Sequence, residues 1–536
     1  MAIGWTLKGD GKTLGPDDVV APYERLSWGR TVGLGMQHVV AMFGATFVFP
    51  LIMGLNPQLA IMMSGIATIC FLLIVRNRIP SYLGTSAAFV GGVVAIKAQG
   101  GTPAHVTGAI LVSGLVLAAV GVFIHIAGAA VLTKVLPPVV TGAVVMLIGF
   151  NLAPVVANVY WPQDQWIGLI VMIAVIAMSV GLRGFLGRVS IFLGLLLGYV
   201  LSWVFDRVFG QITAYNATLD KVDTHWRVDW SGVQAAPWFG FPPATDAAAN
   251  VVGWHLPAFN VGFVLLVLPA VIALVAENVG HVKAVAEMTK TDLDGDMGRA
   301  LFADGVGTVI ATSVGGSPTT TYAENIGVMA STRVYSTAAY YVAALTAILF
   351  GLSPKFGAVV SATPGGVLGG ITVVLYGMIG LLGAKIWKEN RVDFANPLNL
   401  VPVAAGIIIA IGDTSLQVTP TFALSGIAFG TLVTVLAYHL ARALAPADLR
   451  RRADGAGLVV DASGSHDLDR LGLERDHGVR GRGRHEAVPE VGREGDPDQV
   501  RRDDVHRDDV HRDDTPRGQA RRDGTYHDEI YPDEQR

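Results

Sequence analysis

Charge is what this chain has least of for its length. Only 15% of its 536 residues are Asp, Glu, Lys or Arg, where a soluble domain carries about 25%. The deficit is uneven, because the residues after Pro446 are dense in Asp, Arg and His. Ahead of that point the chain is poorer still in charge, which argues against a soluble protein with a wetted surface. Cysteine is nearly absent too. Cys70 stands alone inside an apolar run, so no intrachain disulfide can form and a thiolate metal site has nothing to assemble from. Chemistry-bearing motifs are also missing. GKTLG near the N-terminus lacks the spacing of a phosphate-binding loop, and no metal-ligand spacing or catalytic triad is present. The repeated HRDD near the C-terminus has neither the Gly-rich loop nor the partner lysine of a kinase. The sequence therefore argues against an enzyme, a resident cofactor or metal, and a nucleic-acid partner.

What is present is apolar length. Hydrophobic residues make up 51% of the chain and mean hydropathy is +0.49. Runs such as Val106 to Gly128 and Trp166 to Leu182 reach the roughly 20 residues that cross a bilayer as a helix. The expected fold is an all-α integral membrane protein with about 14 transmembrane segments. They begin near Val32, Gln58, Tyr82, Val106, Val131, Trp166, Phe185, Asn260, Gly298, Pro318, Ser336, Ala358, Leu398 and Phe422. Two of them, near 82–98 and 318–331, are short or rich in Gly, Ser and Thr and read as interrupted. The 64 glycines suit helices that approach closely. No cleavable leader is visible before Tyr23, so the first apolar segment is expected to direct insertion itself.

The positive-inside rule orients these segments. With the N-terminus inside, cytoplasmic loops hold Arg76, Arg78, Lys134, Arg183, Arg188, Lys283, Lys290, Arg333, Lys385, Lys388 and Arg391. The short loops 155–165 and 413–417, on the other side, hold no Lys or Arg. Both termini are then cytoplasmic. Residues 1–30 form an N-terminal segment, 31–207 and 259–446 two blocks of about seven spans, and 208–258 an extracytoplasmic loop. Trp226, Trp230 and Trp238 make that loop a candidate interfacial cap. Residues 447–536 form a charged tail too poor in apolar surface to fold alone. His506 and His511 within it read as solvated rather than metal-binding.

The two blocks resemble each other weakly. Gly142 and Gly149 recur at the separation of Gly370 and Gly377, and YLGTSAAFVGG stands where TTTYAENIGVM stands in the second block. Seven spans is an odd number, so the blocks insert with opposite orientation. Paired interrupted helices in inverted repeats point to a substrate site at the membrane midplane.

Ionisable residues inside spans are costly and mark function. Glu277 and His281 lie four residues apart in LVAENVGHVKAV, on one helix face. Glu324 heads the second interrupted segment, and Gln37 with His38 forms a polar pair in the first span. Two carboxylates and a histidine at one cavity suit proton coupling. Unpaired backbone N–H groups where a strand gives way to a half-helix add donors. A ligand that alternates N–H and carbonyl groups, such as a uracil-like ring, matches that set; so would a purine dione or a small amide.

At ENIGVMASTR the motif becomes specific. The chain resembles the nucleobase–ascorbate transporter family (nucleobase:cation symporters type 2). That signature opens with Glu, Gln or Pro, then Asn325 and the glycine that follow here, then Thr and a basic residue. QHVVAMFGAT and AENVGH also match, and the resemblance runs from Tyr23 to Ala445. Its opening Glu is nearest to the bacterial uracil permease branch. The resemblance implies fourteen spans in two inverted repeats of seven. Spans one to four and eight to eleven form a core, the rest a gate, and some members dimerise through gate helices. It implies that Glu277 and Glu324 hydrogen-bond the base, that His281 joins Glu277 in proton coupling, and that backbone amides at Ala87 and Ala323 meet the base carbonyls. Tyr322 and Tyr376 match residues beside the ring. The implied function is proton-coupled uracil import across the inner membrane; a purine or broader nucleobase symporter and an uncoupled facilitator are the alternatives. Two departures stand out: the uracil permease pattern has Phe where this chain has Ala87, and Gly where it has Ala323. Loss of the Phe removes an apolar wall and leaves room for a larger or substituted base.

Overall fold

The computed structural model describes residues 4–15, 18–128, 130–216, 221–246, 251–419 and 422–453. Most of the charged tail, with His506 and His511, lies outside the described residues. Its first residues do not: Ala447–Ala453 form a short helix, and the Leu449 carbonyl accepts from Asn396 Nδ2 at 2.8 Å.

The first half of the chain gives α1 (Trp28–Met53), α2 (Pro57–Ile74), a short strand β1 (Leu83–Thr85), α3 (Val90–Ala98) and α4 (Pro103–Ala127). Then follow α5 (Pro138–Phe150), α6 (Gln165–Gly181) and α7 (Ser190–Phe209). The second half gives α8 (Ala270–Thr289), α9 (Met297–Thr312), β2 (Thr319–Thr321), α10 (Ala323–Thr332) and α11 (Thr337–Gly351). It ends with α12 (Gly365–Glu389), α13 (Pro397–Ile411) and α14 (Gly426–Leu444). Among the described residues, 8 helices are long and apolar enough to cross a membrane, or up to 9 if the pair Thr337–Gly351 and Pro354–Ser361, bent by 84°, is one span. The stretches Ala87–Ala98, Gln165–Gly181 and Pro397–Ile411 are apolar but shorter.

Local chemistry sets the boundaries. Asn56, Thr102 and Asn396 each cap a helix that opens on Pro57, Pro103 or Pro397. Proline at the first helical position lacks only an N–H that would go unpaired anyway. Near three expected starts, Val131, Phe185 and Ala358, a short helix comes first (Ala130–Val135, Phe185–Arg188 and Pro354–Ser361), and the long helices α5, α7 and α12 begin only after it, at Pro138, Ser190 and Gly365. The stretch read as a short loop from 155 to 165 is largely helical: a π-turn over Val156–Tyr160 and a 3₁₀ turn over Trp161–Gln163 carry α5 onward.

Two groups of helices pack within themselves. In one, α2 lies against α9 and α11, α1 against α11, and α4 along α9. In the other, α5 lies along α12, α6 against α7 and α12, and α13 along α14. Glycine makes both long interfaces close. On α4 and α9, Gly121 faces the Gly298 carbonyl and Gly114 the Gly305 carbonyl, so a Cβ at Gly121 would strike facing backbone and one at Gly114 would crowd it. On α5 and α12, Gly142 opposes Gly383 and Gly149 opposes Gly380. The matched spacing of Gly370 and Gly377 is used differently. Gly370 packs on Gly168 of α6, and Gly377 has nothing within 4 Å.

Candidate functional site

Both interrupted segments stop being helical at the same place, where they pair with each other. β1 and β2 run antiparallel, with Leu83 opposite Thr321, Gly84 opposite Thr320 and Thr85 opposite Thr319. Ser86 N–H donates to the Pro318 carbonyl at 2.9 Å, and Tyr322 N–H to the Tyr82 carbonyl at 3.0 Å. This pairing satisfies backbone groups that would otherwise be bare inside an apolar bundle. Gly84 is required here: a Cβ at that position would overlap the Tyr322 ring.

A helix leaves each end of the sheet. The 3₁₀ turn Ala87–Phe89 leads into α3, and α10 begins at Ala323 with Glu324 in its first turn. Ser86 Oγ accepts from Ala88 N–H at 3.3 Å, whereas no side chain caps α10. First-turn N–H groups have no acceptor in their own helix, so the start of α10 presents donors. Ala87 and Glu324 are half-buried and Ala323 is exposed, beside the sealed Thr321 and Tyr322.

Helix α8 runs past the sheet with Glu277 and His281 on one face, both half-buried. Glu277 lies within electrostatic reach of Glu324 and of Asp304 on α9. The Thr320 hydroxyl stands beside the Glu277 and Asp304 carboxyls without completing a hydrogen bond to either. From His281 a chain of bonds leads inward. His281 Nδ1 meets Thr321 Oγ1 at 2.7 Å, Thr321 Oγ1 donates to Asn278 Oδ1 at 3.1 Å, and Asn278 Nδ2 donates to Asp304 Oδ2 at 2.7 Å. The one hydroxyl proton of Thr321 is spent on Asn278, so the bond from His281 is donated by Nδ1–H. That leaves Nε2 as the ring's acceptor in the neutral form. Asp304 is fully buried, and its Oδ1 has no partner.

The remaining sequence candidates divide into two sets. Tyr322 is buried with its hydroxyl committed: it donates to the Thr85 carbonyl at 2.8 Å and accepts from Thr46 Oγ1 at 3.1 Å. His38 and Asn325 meet each other, with Asn325 Nδ2 3.2 Å from His38 Nδ1 and 2.9 Å from the His38 carbonyl. The Tyr340 ring lies 4.3 Å from the His38 ring. These contacts brace α10 against α1 and α11. The buried Gln37 Oε1 and Tyr376 hydroxyl have no partner. Tyr376, on α12, stacks on Phe49 of α1 at 6.4 Å and 8°, across the boundary between the two helix groups. Sequence reasoning passed over Asn278, Asp304, Thr320 and Thr321. Asp304 carried the same signal as Glu277, an acid within an apolar segment; threonines carry none.

A many-helix bundle whose two broken segments meet as strands beside buried carboxylates defines a polytopic membrane transporter. Comparisons with known proteins specify it further. The model of the Permease family matches residues 29–419, and the chain belongs to this family, the nucleobase–ascorbate transporters. It is a permease and not an enzyme. The putative pyrimidine permease RutG of Escherichia coli K12 is 42% identical over 81% of this chain and 93% of its own length. The uracil permease of Bacillus caldolyticus is 34% identical, covering 77% and 92%. Among solved structures, the transmembrane domain of a cyanobacterium bicarbonate transporter, BicA, superposes with TM-score 0.50 at 12% identity, over 79% of this chain and 99% of that one. The murine Solute Carrier 26 family member A9 anion transporter in the inward-facing state gives TM-score 0.53 at 11% identity, over 81% and 69%. At such identities the likeness is one of fold.

Proposed function

We propose that this permease imports uracil together with a proton by alternating access. The observation that carries the reading is the site at the β1–β2 pairing. Glu324 at the uncapped start of α10 and Glu277 on α8 lie within electrostatic reach of each other, with first-turn backbone donors beside them. A uracil ring offers N–H groups to the carboxylates and carbonyls to the amides at Ala87 and Ala323. In this reading Glu277 and His281 carry the proton coupling, and Tyr376 reaches the ring from the opposite helix group. Tyr322 serves as a wall behind the sheet, since its hydroxyl is already bonded. Relatives that carry the name uracil permease support the substrate.

We infer that the whole chain is organised around this site. It comprises fourteen spans in two inverted repeats, 31–207 and 259–446, with both termini cytoplasmic, residues 208–258 outside and 447–536 a cytoplasmic tail in a bacterial inner membrane. Spans one to four and eight to eleven form the core, the others the gate. Contacts that recur in pairs support the repeat: α6 meets α12 as α13 meets α5, and α2 meets α11 as α9 meets α4. The small side chain at Ala87 favours a second reading for specificity, a pocket that also admits substituted pyrimidines. The relative named as a putative pyrimidine permease agrees with it. The test is uptake of labelled uracil in proteoliposomes, with and without a proton gradient, in competition with thymine, xanthine and urate. Uptake that collapses with a protonophore is expected. Uptake indifferent to the gradient would make the protein a facilitator, and displacement by uracil alone would remove the enlarged pocket.

A further inference from the structure

Among its described residues, the long segment between α7 and α8 is fastened to both helix groups. Its first part is pinned to the gate group by Arg227, which is only 11% exposed. Arg227 Nε donates to Asp164 Oδ2 at 2.7 Å and Nη1 to Asp206 Oδ1 at 3.2 Å. Asp164 caps α6 and Asp206 lies near the end of α7. Separating such a buried cluster leaves unpaired charge, so this end does not let go. The last part is pinned to the core group. Asn56 Nδ2 donates to the Val252 carbonyl at 2.9 Å, Gly240 N–H to the Leu352 carbonyl at 2.9 Å, and Ala258 N–H to the Ala104 carbonyl at 2.9 Å. These three contacts reach the α1–α2 junction, the end of α11 and the start of α4.

Between the fastenings lies one short helix, Ser231–Ala235, with no buried residue and with its first N–H donated to Asp229 Oδ1 at 2.9 Å. A single turn containing Gly232 has little stability of its own. It is held from outside: Lys355 Nζ donates to the Val233 carbonyl at 2.7 Å and to the Gln234 carbonyl at 3.3 Å. Lys355 sits on the helix Pro354–Ser361, which packs on α2.

We propose that residues 231–236 are an extensible tether between core and gate, with Arg227 its fixed end and Lys355 the clasp that holds it wound in the state seen here. The five helical residues Ser231–Ala235 span about 7.5 Å as a helix and about 17 Å extended. Unwinding therefore supplies about 10 Å of travel without disturbing either fastening. Lys355 and Arg227 are positioning residues: they act on the movement of the helix groups and not on the substrate. The inference rests on the alternating-access reading above.

Spin labels at Val222 and Phe239, exposed on either side of the tether, measure it directly in full-length protein carrying Cys70→Ser. Two distances are expected, differing by several ångströms. Lys355→Met enriches the longer one, and deletion of Gly232–Gln234 removes it. In proteoliposomes the deletion lowers maximal uracil uptake at least about tenfold while equilibrium binding stays within about twofold. A single distance, unmoved by Lys355→Met or by substrate, overturns the tether, as does full uptake by the shortened chain. Should the deletion fail to fold, the Lys355→Met distances decide. A second label pair at Ile126 and Val180, on α4 and α6, follows core against gate away from the loop. If that pair is static during active uptake, alternating access itself fails. If it moves while the first pair does not, only the tether fails.

Discussion

At the residue scale the site is a cluster of carboxyls beside a chain of bonds that runs from His281 through Thr321 and Asn278 to Asp304. Glu277→Gln and Glu324→Ala are each expected to reduce uracil uptake to near background in vesicles, with the protein still inserted at normal levels. Wild-type uptake in either variant would mean the site lies elsewhere. Thr321 offers a finer test, because it donates to Asn278 and accepts from His281. Thr321→Ser keeps both bonds and should keep uptake. Thr321→Val removes both, and each such loss inside a protein costs on the order of 1–3 kcal/mol. Uptake should fall roughly tenfold or more, with a shifted pH profile, because the histidine tautomer is no longer fixed. Glu277, His281 and Glu324 were legible in the sequence because an ionisable group in an apolar segment has few structural excuses. Asp304 was equally legible by that rule. Thr320 and Thr321 were not, since threonine is common in spans and only β2 brings these two to α8.

At the element scale two features govern the core. One is the glycine seam between α4 and α9. Gly121→Leu or Gly298→Leu would force backbones apart that now nearly touch. Overpacking of this kind costs about 1–3 kcal/mol, and because α9 carries Asp304 and Thr308 beside β2, uptake should drop along with thermal stability in detergent. The other is the N-terminal segment, residues 1–30 of the sequence reading, whose described part is not a free lead. Val20 N–H donates to the Arg333 carbonyl at 3.0 Å and Tyr335 N–H to the Val20 carbonyl at 2.8 Å. Thr337 Oγ1 accepts from Trp5 Nε1 and donates to the Pro22 carbonyl, both at 2.8 Å. The segment thus clamps the far end of α10, the half-helix that carries Glu324. Removal of residues 1–22 is expected to lower thermal stability by several degrees and to weaken uracil binding, read by isothermal titration. Unchanged binding would show that α10 is held without it.

At the scale of the whole molecule, the proposed topology is testable by labelling. Single cysteines placed at Asp448 and at Phe239 in a Cys70→Ser background should react with a membrane-impermeant maleimide from opposite sides. Asp448 should be protected in intact cells and Phe239 modified. Labelling of both from outside would reverse the positive-inside argument for the C-terminal end.

Sequence alone determined that this chain is a membrane protein and roughly where its helices run, and it singled out Glu277 and Glu324 as acids within apolar segments. Those properties follow from local quantities: apolar length against bilayer thickness, proline and cap residues at helix starts, and the cost of charge in lipid. Tertiary structure decided the rest. The pairing of Leu83–Thr85 with Thr319–Thr321 joins residues more than two hundred positions apart, and no three-residue run specifies its partner. Gly142 and Gly149 share a spacing with Gly370 and Gly377 yet face different neighbours, because spacing fixes which side of a helix a residue lies on and not what packs there. The same holds for the loop from 208 to 258. Its tryptophans were visible in the sequence, but its two fastenings were not, since Arg227 finds Asp164 and Asp206 only after the helices that carry them have assembled.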